Sequence, residues 1–453
     1  MNRLLIVSAH FPPTNAVDMH RVRVSLPYYR LVGWDPAVVC FDPGSTEHPI
    51  DEALCQSVPD DIPVHRVRCL SSTSTRAFGL GAVGFRGWFA MRRAGLQLIK
   101  KQRPDLILFS TTSFPLMALG PSFRAASNVP YVLDYQDPWV SPAGSIHRPT
   151  LKNKFVRRLH EIAEPRAVRG ASGLMAVSAD YLSILRRRYT LPTQLPSAVI
   201  PFGAAKQDLE IARQVSSIAA RWPDELRQDL ATKTVGLYAG AYVKTMEPMV
   251  ATLFLGLKQA ITQWPCLADQ LRCWFIGSNY AQDDQTTPVL DLASRYGVEA
   301  VVREWPARVS YYNALGMLYQ ASFNMLLGST SPGYNPSKLF TCLLTRRPLL
   351  ALVQPNTLVA ELIQAAGGAQ IVFIKPDQPI ADSPASLMEF LKSSLEGEVA
   401  ASQTQKEQFL SQYSAETTTN MQADLFGQVV AYARQDTDAE HTQVDKVAEA
   451  AVS

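Results

Sequence analysis

Residues 331–353 read SPGYNPSKLFTCLLTRRPLLALV. The segment joins two apolar runs, residues 323–328 and 348–353, each short and bounded by turn residues as buried parallel strands are. Between them the pattern predicts a helix whose first turn is laid out for an anion. Asn335 suits the N-cap, and Pro336 the first helical position, where a missing N–H costs nothing. Ser337 and Lys338 then fall where free backbone N–H groups and the positive end of the helix dipole point outward. A hydroxyl, an ammonium and unpaired amides converging after a strand would seat a diphosphate. The plainer alternative is a surface lysine on an ordinary crossover helix.

Outward from this segment, strand and helix signals alternate along almost the whole chain. That pattern predicts an α/β protein with parallel sheets covered by helices on both sides. At 453 residues and 50.0 kDa the chain exceeds what one hydrophobic core normally fills, so two large domains are expected. In the first half, strands are predicted at 3–9, 36–41, 64–69, 105–110, 129–134, 173–177 and 198–201, with helices near 19–31, 83–102, 154–169 and 179–189. In the second half, strands are predicted at 235–240, 271–277, 301–304, 323–328, 349–353 and 370–374. A turn at VIPFG, residues 199–203, sets the boundary. The expected division is therefore 1–204, 205–400, a helical segment at 401–435 and a flexible polar tail at 436–453. Two doubly wound sheets facing a cleft would put the carboxyl ends of both sets of strands around it, where open α/β sheets bind ligands.

A hydrophobic content of 47% with 18% charged residues describes a soluble globular chain. The net charge of +3 hides an asymmetry: residues 1–205 carry 24 Lys and Arg against 14 Asp and Glu, the remainder 19 against 26. A basic first half and an acidic second half suggest different partners. Nucleic acid is not expected, since no binding motif appears and aromatics are not interleaved with the basic residues. An anionic acceptor or a membrane face fits better. Within residues 76–101, Phe78, Leu80, Phe85, Trp88 and Phe89 alternate with Arg76, Arg86, Arg92, Arg93, Lys100 and Lys101. This segment suits peripheral contact with anionic lipid, or a half-buried core helix with a charged outer face. The six cysteines are scattered without metal-ligand spacing, which favours free thiols and a reduced, cytoplasmic compartment. LLIVSA after Arg3 is too short for a secretory core, and no run approaches the roughly 18 apolar residues of a membrane span.

The loops after predicted strands hold the remaining candidates. AHFPPTNAVDMHRVR, after the first strand, contains no glycine, which argues against a nicotinamide-type dinucleotide site. There Asp18 can cap a helix whose first turns carry His20, Arg21 and Arg23, for proton transfer or phosphate contact, or simply as a solvated basic face. In VLDYQDPWV, residues 132–140, Asp134, Asp137 and Trp139 could hold a hydroxylated ligand; alternatively Asp137 caps a turn and Trp139 packs between elements. In LYAGAYVKTMEP, residues 237–248, Gly240 closes a strand and Lys244 could meet the same anion as Lys338. In FIGSNYA (275–281) and VREWPARVSYY (302–312), Gly277 allows a close backbone approach. Glu304 there could accept from a ribose or base, or form an ion pair with Arg308.

The ordered set FPP, GWDPAVV, LDYQDPW, AVSADYL, IPFG, YAG, FIGSNYA and PSKLF…RRPLLAL resembles family 4 glycosyltransferases of the GT-B fold, within a bacterial subgroup having DFRDPW-like and YxxSK-like motifs. The resemblance implies two Rossmann-like domains facing a central cleft, with a C-terminal helix able to cross back. It implies a retaining sugar transferase that uses a nucleotide-diphosphate sugar as co-substrate, with no cofactor and no metal, in bacterial surface polysaccharide or glycoconjugate synthesis. On the same ground, Lys338, Ser337 and Lys244 would bind the donor diphosphate. Tyr334, Ser329, Gly240 and Gly277 would line the donor pocket, and Glu304 with Arg308 would lie near the nucleoside. Asp137 and Asp134 would sit at the sugar or acceptor, with His20, Arg21, Arg23 and Trp139 on the acceptor side. Three positions depart from the pattern. Gln136 replaces the usual Arg before DPW, Thr341 stands where a donor carboxylate is widespread, and the first loop lacks its glycine pair. A nucleotide-sugar epimerase and a degenerate, non-catalytic binding protein are the alternatives.

Overall fold

The structure is a computed structural model that describes residues 1–72, 75, 81–140, 151–216, 222–279, 286–330, 338–375, 385–397 and 403–452. For 151–152, 216, 403–405 and 436–452 it describes the backbone alone. The chain divides into two compact units, one of residues 1–203 with 415–453 and one of residues 204–414.

In the first unit, β1 (Asn2–Val7), β2 (Trp34–Phe41), β3 (Val64–Val67), β4 (Leu106–Ser110), β5 (Tyr131–Tyr135), β6 (Gly173–Ala176) and β7 (Ser197–Val199) form one sheet in the order β3-β2-β1-β4-β5-β6-β7. Every pairing in it is parallel. Successive side chains of a strand point to opposite faces, so a strand covered on both sides must be apolar throughout. Leu5 and Val7 accordingly enter one core with Phe109 and Leu133, while Leu4 and Ile6 enter another with Leu106, Leu108 and Val132.

The second unit repeats the plan with β8 (Thr234–Ala239), β9 (Leu271–Ile276), β10 (Val302–Trp305), β11 (Phe323–Leu327), β12 (Leu349–Val353) and β13 (Ala369–Phe373) in the order β10-β9-β8-β11-β12-β13, again all parallel.

The helix Ala415–Val452 belongs to the first unit, where Leu425, Phe426 and Val429 pack with Leu4 and Ile6. Buried Gln422 anchors it, accepting from the Tyr29 hydroxyl at 2.6 Å and donating to Ser25 Oγ at 3.0 Å. Of the tail 436–453, residues 436–452 are described as a continuation of this helix; four Ala and two Glu there are good helix formers.

Of the basic-apolar segment, residues 76–80 lie outside the described residues. Phe89 is 78% exposed, and Arg92, Arg93, Lys100 and Lys101 are exposed as well. Arg86 is not part of that face: it is buried and donates to the carbonyls of Gly81, Leu70 and Ser45. No helix among the described residues is long and apolar enough to cross a membrane.

Candidate active site

Open parallel sheets take ligands at the carboxyl ends of their strands, where the strand order reverses. In the second unit that point lies between β8 and β11. Gly240 directly follows β8 with φ +144°, and a Cβ there would stand 2.1 Å from Lys338 Nζ and 2.3 Å from its Cε. Glycine is therefore what lets the lysine fold over the strand end. Half-buried Lys338 donates to the Tyr238 hydroxyl at 2.8 Å and lies 4.7 Å from the centroid of that ring. The Tyr238 hydroxyl donates onward to Ala241 O at 3.0 Å.

A short turn, Lys244–Met246, joins the same strand ends. Ser329 Oγ donates to Thr245 Oγ1 at 2.8 Å, and Thr330 donates to Thr245 O from its amide at 2.9 Å and its hydroxyl at 3.1 Å. Lys338, Gly240, Ser329 and exposed Lys244 thus gather at one end of one sheet. The helix is described from Lys338 onward, and Tyr334, Asn335, Pro336 and Ser337, on which its expected first turn rests, lie outside the described residues.

Glu304 on β10 has a more structural position than the sequence suggested. Its Oε1 accepts from Ser278 Oγ at 2.5 Å and its Oε2 from the amide of Leu290 at 2.8 Å, inside the first turn of the helix Pro288–Tyr296. Burial holds its carboxyl above the usual range against the pull of these donors. It borders a surface cavity of about 570 Å³ with Trp222, Trp274, Leu290, Arg303 and Trp305. Gly277, at φ +69°, has no atom within 3.8 Å of a would-be Cβ, and Arg308 is exposed.

In the first unit the reversal lies between β1 and β4. Here the residues nominated from sequence are mostly enclosed. Asp134 is fully buried, 3.0 Å from Arg21 Nε, and its Oδ2 accepts from Ser110 Oγ at 2.7 Å and from Gln136 Nε2 at 3.3 Å. Arg21 also donates to the Ile200 and Pro201 carbonyls. Arg23 is buried, donating to Ser57 Oγ at 2.7 Å and to His20 Nδ1. Neither a solvated basic face nor a free phosphate contact results: Arg21 and Arg23 form an internal brace, because Asp134, the Ile200 and Pro201 carbonyls, Ser57 and His20 engage the two guanidinium groups. Trp139 is buried as well, stacked on Phe114 at 5.6 Å and donating to His160 Nδ1 at 2.6 Å, so no sugar-covering face is offered. Asp137 alone of this set is exposed. Surrounding protein bulk, and then the negative charge of Asp18, push its carboxyl up.

Asp18 precedes the helix Met19–Tyr29 but does not cap it. Its Oδ1 meets His10 Nδ1 at 2.9 Å, while its Oδ2 accepts from Thr111 Oγ1 at 2.8 Å and from the Thr112 amide at 3.2 Å. Burial alone would raise its carboxyl, but the charge and hydrogen bond of His10 with the two threonines hold it below the usual value. His10 and Tyr238 were not nominated from sequence. The available signal was position: His10 follows β1 directly, and Tyr238 lies within the last turn-ward residues of β8. Among the described residues no group of three or more His, Cys, Asp or Glu is arranged to hold a metal ion.

Residues 25–203 match the family model described as a glycosyl transferase 4-like domain. Among solved structures, the chain is similar to Anabaena HepE crystallised with UDP and glucose, at 14% identity over 94% of this chain and 100% of that one, with a TM-score of 0.60. The UDP-forming α,α-trehalose-phosphate synthase of Burkholderia xenovorans, crystallised with glucose-6-phosphate, is 12% identical over 93% and 99% of the two chains, also with a TM-score of 0.60. A glycosyltransferase of Rickettsia africae is 12% identical over 95% and 99%, with a TM-score of 0.57. No curated protein sequence matches the chain. At such identities the structures establish the fold, two Rossmann-like parallel-sheet domains of GT-B type. With the family match they support a glycosyltransferase.

Proposed function

We propose that the protein moves a sugar from a nucleotide-diphosphate donor to an acceptor hydroxyl. The observation that carries this reading is the Lys338 ammonium, admitted over the end of β8 by Gly240 at the strand-order reversal of the second unit. A cation held there by Tyr238 suits a diphosphate, whose charge grows as it leaves. Lys338 with Lys244 and Ser337 would bind the diphosphate. Ser329, Tyr334 and Gly277 would line the donor pocket, and Glu304 with Arg308 would lie near the nucleoside. The cavity walled by Trp222, Trp274 and Trp305 offers flat apolar surface for a base.

Transfer would retain anomeric configuration without a metal, the departing phosphate itself taking the acceptor's proton, as the resemblance to family 4 implies. The acceptor would be held by the first unit near Asp137. Surface polysaccharide or glycoconjugate synthesis in the bacterial cytoplasm is the setting, with Phe89 and its neighbouring arginines touching the membrane.

Thermal-shift screening against UDP, GDP, dTDP and their sugars tests the reading, beginning with UDP because HepE was crystallised with it. Stabilisation by one nucleotide, followed by hydrolysis or transfer of its sugar, upholds the enzyme. Interconversion of a UDP-sugar without acceptor would instead mean an epimerase, and silence across the panel a non-catalytic protein. Lys338→Ala should raise the barrier by about 2–4 kcal/mol; full turnover and full donor affinity in that variant would refute the assignment.

A further inference from the structure

The first unit contains a histidine–aspartate pair that donor binding does not use. His10 is 6% exposed and its Nδ1 lies 2.9 Å from Asp18 Oδ1. With its other oxygen occupied by Thr111 and Thr112, the ionised Asp18 can only accept, so Nδ1 carries the proton and donates. In the neutral ring Nε2 is left with a lone pair. Among the described residues buried Nε2 has no hydrogen-bond partner, an arrangement native interiors seldom leave. The pair stands after β1, beside the loop after β4, at the reversal point where such sheets take ligands. Asp137, exposed after β5, is near enough to Asp18 to feel its charge.

We infer that His10 and Asp137 form a subsite for neutral hydroxyls of a polyhydroxylated acceptor, one hydroxyl donating to His10 Nε2 and another to the Asp137 carboxylate. Asp18 is a positioning residue that fixes the ring and its tautomer. Both contact groups accept, so the ligand must donate, and a sugar hydroxyl does. A phosphorylated acceptor is disfavoured here. Asp18 and Asp137 are negative, and the nearby cations Arg21 and Arg23 are engaged by Asp134, Ser57 and His20. The half-buried His48 ring lies edge-on to His10, with centroids 4.5 Å apart. Naming the ligand an acceptor rests on the glycosyltransferase reading; the hydroxyl site itself does not.

The test uses the full chain with ¹⁵N-labelled histidine. Long-range ¹H–¹⁵N spectra should show His10 protonated at Nδ1. Its Nε2 signal should shift on titration with D-glucose, D-galactose, D-mannose or glycerol, and at least about tenfold more weakly with glucose-6-phosphate. Sugar affinity should fall roughly tenfold in His10→Phe, the loss of one hydrogen bond, and be largely kept in His10→Gln, whose amide oxygen still accepts. UDP stabilisation serves as the folding control for both variants. An Nε2–H tautomer, no response to any neutral probe, preference for glucose-6-phosphate, or undiminished sugar binding by His10→Phe would each overturn the inference. If no nucleotide stabilises the wild type while the sugar response is present, the donor reading fails and this one stands.

Discussion

Gly240→Ala should damage nucleotide binding by moving a side chain 100 residues away from β8 in the sequence. The added Cβ would lie 2.1 Å from Lys338 Nζ, well inside van der Waals contact, so the ammonium must leave its place. Doing so breaks the 2.8 Å bond to Tyr238 and the contact with its ring, together worth about 1–2 kcal/mol at a half-buried site. The backbone at φ +144° adds about 1–3 kcal/mol of strain for any residue with a side chain. A stability loss of about 2–5 kcal/mol follows, which lowers Tm by roughly 4–20 °C in a unit of this size. Nucleotide affinity should fall on the order of 10- to 100-fold, one charge-assisted phosphate contact. Calorimetric titration of UDP, or of whichever nucleotide stabilises the wild type, into Gly240→Ala, Lys338→Ala and the double variant isolates the cause. If the glycine acts through the lysine, the double variant binds no worse than Lys338→Ala alone. Additive losses, or wild-type affinity in Gly240→Ala, would refute the reasoning.

Two further outcomes concern buried charge. Asp18 has its folded pKa depressed below the ordinary 3.8, so it contributes stability above that value and loses it as pH falls through the folded one. Asp18→Asn should therefore cost about 2–3 kcal/mol between pH 5 and 8, with the gap to wild type closing below about pH 4 in urea melts. A gap independent of pH would contradict this. Lys406 is buried with its ammonium donating to Arg347 O at 3.2 Å, and burial lowers its pKa below 10.5. A depressed amine destabilises the fold at pH values below its folded pKa and ceases to do so as pH rises towards the unfolded one. Lys406→Met should accordingly gain about 1 kcal/mol at pH 7, the advantage shrinking as pH approaches 10.5; a destabilised variant at neutral pH would show the ammonium is needed there.

Much of the framework was legible. Residues 349–353 are β12 as predicted, and the other strands fall within about two residues of the runs read from sequence, because a buried parallel strand must be apolar on both faces. The residues of the first unit were less legible. Asp18 looks like a helix cap, yet its carboxylate turns to His10, Thr111 and the Thr112 amide, donors that tertiary packing brings to it. Arg21 and Asp134 look like a basic face and an acceptor carboxylate, and they neutralise one another in the interior.

Local periodicity and turn chemistry act over a few residues, so by itself the sequence determined the strands, the helices, the two parallel sheets and the loops that open at the strand ends. Which of those loops meet was decided by sheet order alone. Placing β11 beside β8 brings Lys338 over Gly240, and placing β4 beside β1 brings Thr111 to Asp18 and leaves His10 with one unmatched nitrogen. Hydrogen bonds and ion pairs form over about 3 Å, and no pattern along the chain specifies distances that short between segments a hundred residues apart.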